Sequence, residues 1–241
     1  MAENQAIALF RKTWGTYRKL VFNNYMFHTN MFAAFRQTVT PLCAERPITI
    51  LDLGCGDASE MAKSLSSLGG RRVVSNYLGC DLSEPALELA RQNMTAPKTS
   101  SFLCRDMLEV LRGEQESSWD VLVSSYSLHH LTSAQKQSFF VHAGRVLNKT
   151  SGQLVLIDTM REEEESREAY LEAYLTEMKR GWAMMTPEEL QVIEDHVRGF
   201  DFPEKSSTYL EMAKKAGLKT SKQIAKQSWH HAWSYGFNDK K

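Results

Sequence analysis

Ile48-Thr49-Ile50-Leu51-Asp52-Leu53-Gly54-Cys55-Gly56-Asp57 is the stretch on which the fold turns. A short apolar run that ends in two glycines reads as a buried parallel strand delivering the chain into a tight turn. Outward from it, residues 58–68 read as a helix stopped by Gly69-Gly70, and 73–80 as a second strand ending at Asp81. Ser83 and Pro85 fit an N-cap and a first helical turn, opening a helix to about Met94. Strands follow at 101–104, ending at Asp106, at Val121–Val123 and at Leu154–Ile157, with a helix over 133–147 between the last two. Strand and helix alternate throughout, so the expected class is α/β, a doubly wound, mostly parallel sheet with right-handed crossovers.

Beyond Asp158 the alternation stops. Residues 161–199 read as helical and acidic, with five basic against eleven acidic side chains. A last helix over 206–216 ends at Gly217, and strand-like segments near 218–227 and 229–237 close the chain. Two strands with no helix between them imply one antiparallel strand near the C-terminus of a seven-stranded sheet. Residues 1–46 read as helical, with Phe10, Trp14, Val21, Met26, Phe32 and Phe35 at apolar positions. The expected organisation is a single domain over 1–241. It comprises an N-terminal helical cap over 1–46, a ligand-binding core over 47–158, a helical insertion or lid over 159–205, and the last helix and final strands over 206–241.

Composition narrows the class. The 241 residues are 42% hydrophobic and 24% charged, ordinary values for a globular chain. Lys and Arg number 29 and so do Asp and Glu, so the chain lacks the general positive field of a nucleic-acid binder. Cys43, Cys55, Cys80 and Cys104 have no zinc-ligand spacing and read as buried hydrophobes in a reducing compartment. No apolar run approaches the roughly 20 residues that span a bilayer, and no signal-like core opens the chain. A cytoplasmic location, with no membrane and no nucleic-acid partner, is the expectation.

In open parallel sheets ligands bind at the carboxyl ends of the strands. Gly54 and Gly56 permit close backbone approach there, and Asp81, at the end of the next strand, can accept two hydrogen bonds from a ribose diol. A dinucleotide site wants a third glycine where Ser59 stands, and Asp57 would repel a pyrophosphate. A nucleoside cofactor with an ammonium group and no phosphate fits better, which describes S-adenosylmethionine.

Taken together these segments resemble class I S-adenosylmethionine-dependent methyltransferases of the small-molecule branch. Leu51 to Gly56 is similar to the glycine motif of that family, Gly79-Cys80-Asp81-Leu82-Ser83 to its ribose-binding loop, and Cys104-Arg105-Asp106-Met107 to the loop that brackets adenine. Trp119 to Ser124 with Leu128-His129-His130-Leu131 resembles the fourth motif, and Gly152 to Asp158 the fifth. The resemblance implies a Rossmann-like sheet, with S-adenosyl-L-methionine as cofactor and S-adenosyl-L-homocysteine as product. It implies that Gly54, Cys55 and Gly56 lie against the cofactor, that Asp52 and the Ser124 carbonyl hold the methionine ammonium, and that Asp81 and Leu82 hold the ribose. Asp106 would face the adenine amino group with the Met107 amide beside it; a helix N-cap is the other reading of Asp106.

Methyl transfer is an in-line displacement that needs an aligned nucleophile, exclusion of water and, for some acceptors, a base. His130 and His129, at the end of the fourth strand, are the candidate bases. In phosphoethanolamine methyltransferases a histidine at the place of His130 pairs with an N-terminal tyrosine, for which Tyr17 and Tyr25 are candidates. The other reading is a histidine that orders the loop. Tyr17, Tyr25, Trp182, Trp229 and Trp233 with the acidic 161–199 segment would suit a cationic or amine-bearing acceptor; the alternative is that they are core and solvated helix face. His230-His231 would point to opposite faces of a strand, so no metal is expected. The expected activity is methyl transfer to a nitrogen or oxygen of a small molecule, by a monomer or homodimer. The alternatives are a nucleic-acid or protein methyltransferase, or a non-catalytic cofactor-binding domain. Ser124-Ser125-Tyr126-Ser127 stands where base-amine enzymes have Asn-Pro-Pro-aromatic.

Overall fold

The structure is a computed structural model that describes residues 15–237; Phe10 and Trp14 fall outside that range. Its strands are β1 (Ile48–Leu53), β2 (Val74–Asp81), β3 (Thr99–Cys104), β4 (Val121–Ser125), β5 (Gln153–Thr159), β6 (Thr220–Gln227) and β7 (His230–Gly236). They form one sheet in the order β3-β2-β1-β4-β5-β7-β6. The first five pair in parallel, and β7 runs antiparallel to both β5 and β6. This is the Rossmann-like sheet the alternation implied, with its one antiparallel strand near the C-terminus.

Period-two patterning sorts the central strands into two cores. Ile48, Ile50, Val121, Val123, Val155 and Ile157 face one layer of helices, and Leu51, Leu53, Leu122, Leu154 and Leu156 face the other. The helices are α1 (His28–Val39), α2 (Ser59–Leu68), α3 (Glu84–Asn93), α4 (Met107–Gly113), α5 (Ser133–Val146), α6 (Arg167–Gly181), α7 (Pro187–Phe200) and α8 (Ser206–Lys215). A further helical segment runs through residues 15–22. Ser83 accepts from the Ala86 amide at the start of α3, as its position before Pro85 suggests. β3 starts two residues earlier than its apolar pattern, because Thr99 and Ser100 extend an exposed edge whose sequence carries no burial signal. The 161–199 stretch is two helices, not one. Trp182 ends α6, and a capping box between Thr186 and Glu189, with Pro187 at the first turn, starts α7.

The order reverses between β1 and β4, so the carboxyl ends of these strands open a crevice. The leading segment and the insertion meet over it. Lys19 Nζ donates to both oxygens of Glu189 at 2.8 Å. The Tyr25 ring stacks on Trp182 at 5.3 Å, and its hydroxyl accepts from the Met184 amide at 2.8 Å.

Candidate active site

The turn after β1 is built backwards from the next strand. Gly54 and Cys55 amides both donate to the Cys80 carbonyl at 2.9 Å, folding the loop against the end of β2. Gly54 has φ +79°, and a Cβ there would lie 2.2 Å from Ser127 Oγ, so only glycine fits between the β1 and β4 loops. Asp81 ties this loop to the one after β2: its Oδ2 accepts from the Gly56 amide and its Oδ1 from the Ser83 amide, each at 2.9 Å. Burial raises the Asp81 pKa, and these amide bonds work against it.

Asp52 lies beneath the turn, 2% exposed. Tyr77 donates its hydroxyl to Oδ2 at 2.8 Å, while Oδ1 has no partner. Burial pushes its carboxyl up to about 7, with the Tyr77 bond opposing. A buried, half-satisfied carboxyl on a cavity wall is suited to a ligand cation. Asp106 caps α4, its Oδ1 accepting from the amides of Leu108 at 2.8 Å and Glu109 at 3.1 Å, and it also lines the cavity. The cap and a place at the ligand wall are thus compatible.

The cavity is about 510 Å³. Asp52, Gly54, Cys55, Gly56, Asp81, Leu82, Asp106, Met107, Tyr17 and His130 all border it. Ser124 does not: its side chain is buried within β4, and Ser125 reaches the wall instead. His129 is also buried away from the cavity, with its amide and Nδ1 both held by Asp158. Burial lowers its pKa, but Asp158 and Asp201 outweigh that and leave it raised. Tyr25 is spent on Trp182 and Met184, outside the cavity. Trp182, Trp229 and Trp233 do not line it either, and acids of the insertion pair outward, Glu172 with Arg198, Glu177 with Arg180 and Glu189 with Lys19. The acidic segment therefore gives the cavity no local negative wall; its acids there are Asp52, Asp57, Glu60, Asp81 and Asp106.

The structure adds wall residues with no sequence signal. The insertion supplies His196, Phe200 and Phe202, and the N-terminal helices supply Val21, His28 and Phe32. His28 is 3% exposed, both ring nitrogens lack partners, and burial pushes its pKa down to about 4. Its ring lies 4.7 Å from that of Tyr126, which adopts φ 52° just after β4 and donates its hydroxyl to the Met26 carbonyl. Such strain in a non-glycine residue is found where a loop is held for function. His28 and Tyr126 lie nearly a hundred positions apart, which is why local patterns missed them.

Comparison with known proteins finds similarity to methyltransferases. A methyltransferase-domain family model matches residues 50–150. An uncharacterized methyltransferase of Bacillus mycoides is 27% identical over 165 residues, covering 68% of this chain and 72% of that protein. The fold is similar to a Leishmania major S-adenosylmethionine-dependent methyltransferase, with TM-score 0.66 and 13% identity over 97% of this chain and 82% of that one. It is also similar to the structure of a Haloferax volcanii complex of the Trm112 methyltransferase activator with a methyltransferase. There the TM-score is 0.62 and the identity 14%, over 98% of this chain and 99% of that one.

Proposed function

From the premise that the chain is a class I S-adenosylmethionine-dependent methyltransferase, we propose that it methylates an oxygen or nitrogen of a small molecule held between the cofactor loops and the lid. The observation that carries this reading is that helices from both flanks of the core line the same cavity as the cofactor loops. Helices from both ends of the core roof it, and about 510 Å³ must hold cofactor and acceptor together. A nucleic-acid acceptor would be drawn by a general positive field, and the chain has zero formal net charge.

The cofactor, when bound, supplies a methyl on a cationic sulfur, already activated for in-line displacement. The residues present fit it. Asp52, with Oδ1 unpaired, would meet the ammonium group, and Asp81, already oriented by two backbone amides, the ribose diol. Asp106 and Met107 would border the base. Tyr17, His28, Phe32, Tyr126 and Phe200 would enclose the acceptor and exclude water, which aligns the nucleophile and keeps the sulfonium from hydrolysis. His130 is the side chain we place at the acceptor's reacting group, where it governs the loss of the acceptor's proton. His129 would act through it, fixed by Asp158. Tyr25 would clamp the lid without touching the acceptor.

A labelled-methyl screen against alcohols, phenols, amines and carboxylates tests this reading. Transfer to one small class, lowered at least tenfold in kcat by His130→Ala, is the expected result. Transfer only to protein or nucleic acid would overturn it.

A further inference from the structure

Behind the His130 wall, three imidazoles converge on one carboxylate. Asp201 Oδ1 lies 3.4 Å from His130 Nδ1, 3.6 Å from His196 Nε2 and 3.7 Å from His129 Nε2. Asp201 is 6% exposed and this oxygen has no hydrogen-bond partner. The separations are too long for hydrogen bonds, which fall near 2.7–3.2 Å. They are close to the edges of a coordination tetrahedron, about 3.3 Å for metal–ligand bonds of about 2.0–2.1 Å. Ligand atoms of His129, His130 and Asp201 all lie within 4.8 Å of one another.

Two further features point the same way. Asp158 accepts from His129 Nδ1, so it can fix the tautomer that leaves Nε2 free as a ligand. Finally, His130 and His196 face the cavity, so an ion here would keep a coordination position open to the acceptor. His130 Nδ1 stands 3.2 Å from the Phe200 carbonyl, a contact that ligation would replace.

We propose that His129, His130 and Asp201 bind a divalent transition-metal ion of the zinc class, with His196 beside the fourth coordination position, which the acceptor hydroxyl takes. Imidazole with carboxylate suits zinc, cobalt and iron over magnesium or calcium. This rests on the small-molecule reading above and narrows it to an oxygen acceptor, with the ion in place of a free base. The ion lowers the pKa of the bound hydroxyl, whose proton leaves to solvent. The oxygen lone pair forms the new O–CH3 bond as the S–CH3 bond breaks, and its electron pair stays on sulfur.

The test uses the full chain stripped with a chelator and titrated with Co2+ in the visible and with Zn2+ against a chromophoric competitor. One equivalent should bind at micromolar affinity or tighter, with the intense absorption of a four-coordinate cobalt site. Asp201→Asn and His130→Asn should each weaken it at least 100-fold, and His196→Ala about tenfold. S-adenosylhomocysteine should bind Asp201→Asn with an unchanged Kd, which reports an intact fold. Metal removal should abolish transfer to hydroxyl acceptors without changing that Kd. Absence of binding below about 100 µM, or binding indifferent to Asp201→Asn, would overturn the site and leave His129 as an imidazolium between two carboxylates. Metal binding as expected with no S-adenosylhomocysteine binding would overturn the cofactor placement, not the metal site.

Discussion

Asp81 already accepts two backbone amides, which leaves the outer lone pairs of both oxygens for a vicinal diol. Asp81→Ala should weaken S-adenosylhomocysteine binding by about 2–4 kcal/mol in calorimetry, since hydrogen bonds to charged groups are worth roughly 1.5–3 kcal/mol each and do not add. Asp52 makes a second prediction. Its carboxyl sits near 7, so below that pH the ligand-free protein holds a proton that an incoming ammonium must displace. Affinity should rise with pH, by up to about tenfold per unit from pH 5.5 to 7, and Asp52→Asn should flatten the curve. The same raised pKa means this group favours the fold below the unfolded value near 4 and that its contribution is lost as pH rises through 7. Gly54, Gly56 and Asp81 were legible because a strand end and its turn are local. Asp201, His196 and His28 were not, since each reaches the site only through packing with residues far along the chain.

We expect two segments separated by more than a hundred residues to act as one lid. The Lys19–Glu189 pair is partly exposed and contributes little, roughly 0–1 kcal/mol, so the Tyr25–Trp182 stack and its hydrogen bond to Met184 carry the junction. Hydrogen exchange should show S-adenosylhomocysteine protecting both 15–35 and 187–202. Tyr25→Ala should reduce protection in both segments together; if only one responds, the lid is not a unit. The sequence marked the insertion as helical and acidic, and the structure adds the capping box that starts α7. It could not show which helix faces inward. The acids that seemed to prefer a cationic acceptor face outward, and the cavity receives instead His196, Phe200 and Phe202 from the insertion.

Across the whole molecule, the buried histidines set the acid limit. Burial pushes His28 down to about 4 and His230 to about 3. The unfolded chain takes up these protons near 6.5, so the stability they support is present above that pH and lost as pH falls toward 4. The loss should be on the order of 2–3 kcal/mol for each by pH 4. Urea denaturation at pH 7 and 4.5 measures it, and the double variant His28→Gln, His230→Gln should show a shallower decline. The sheet was legible apart from the exposed start of β3, because buried parallel strands announce themselves by apolar runs and the final pair by its missing helix. Its reversal at β7 also decides how the molecule can be handled. Gly236 pairs with Gln153, the first residue of β5, so the chain exits at the end of the sheet opposite the crevice. Tyr17, by contrast, borders the cavity. A bulky group joined at residue 237 would therefore sit at the far end of the sheet from the cavity, whereas one joined at the first described helical turn would crowd its wall.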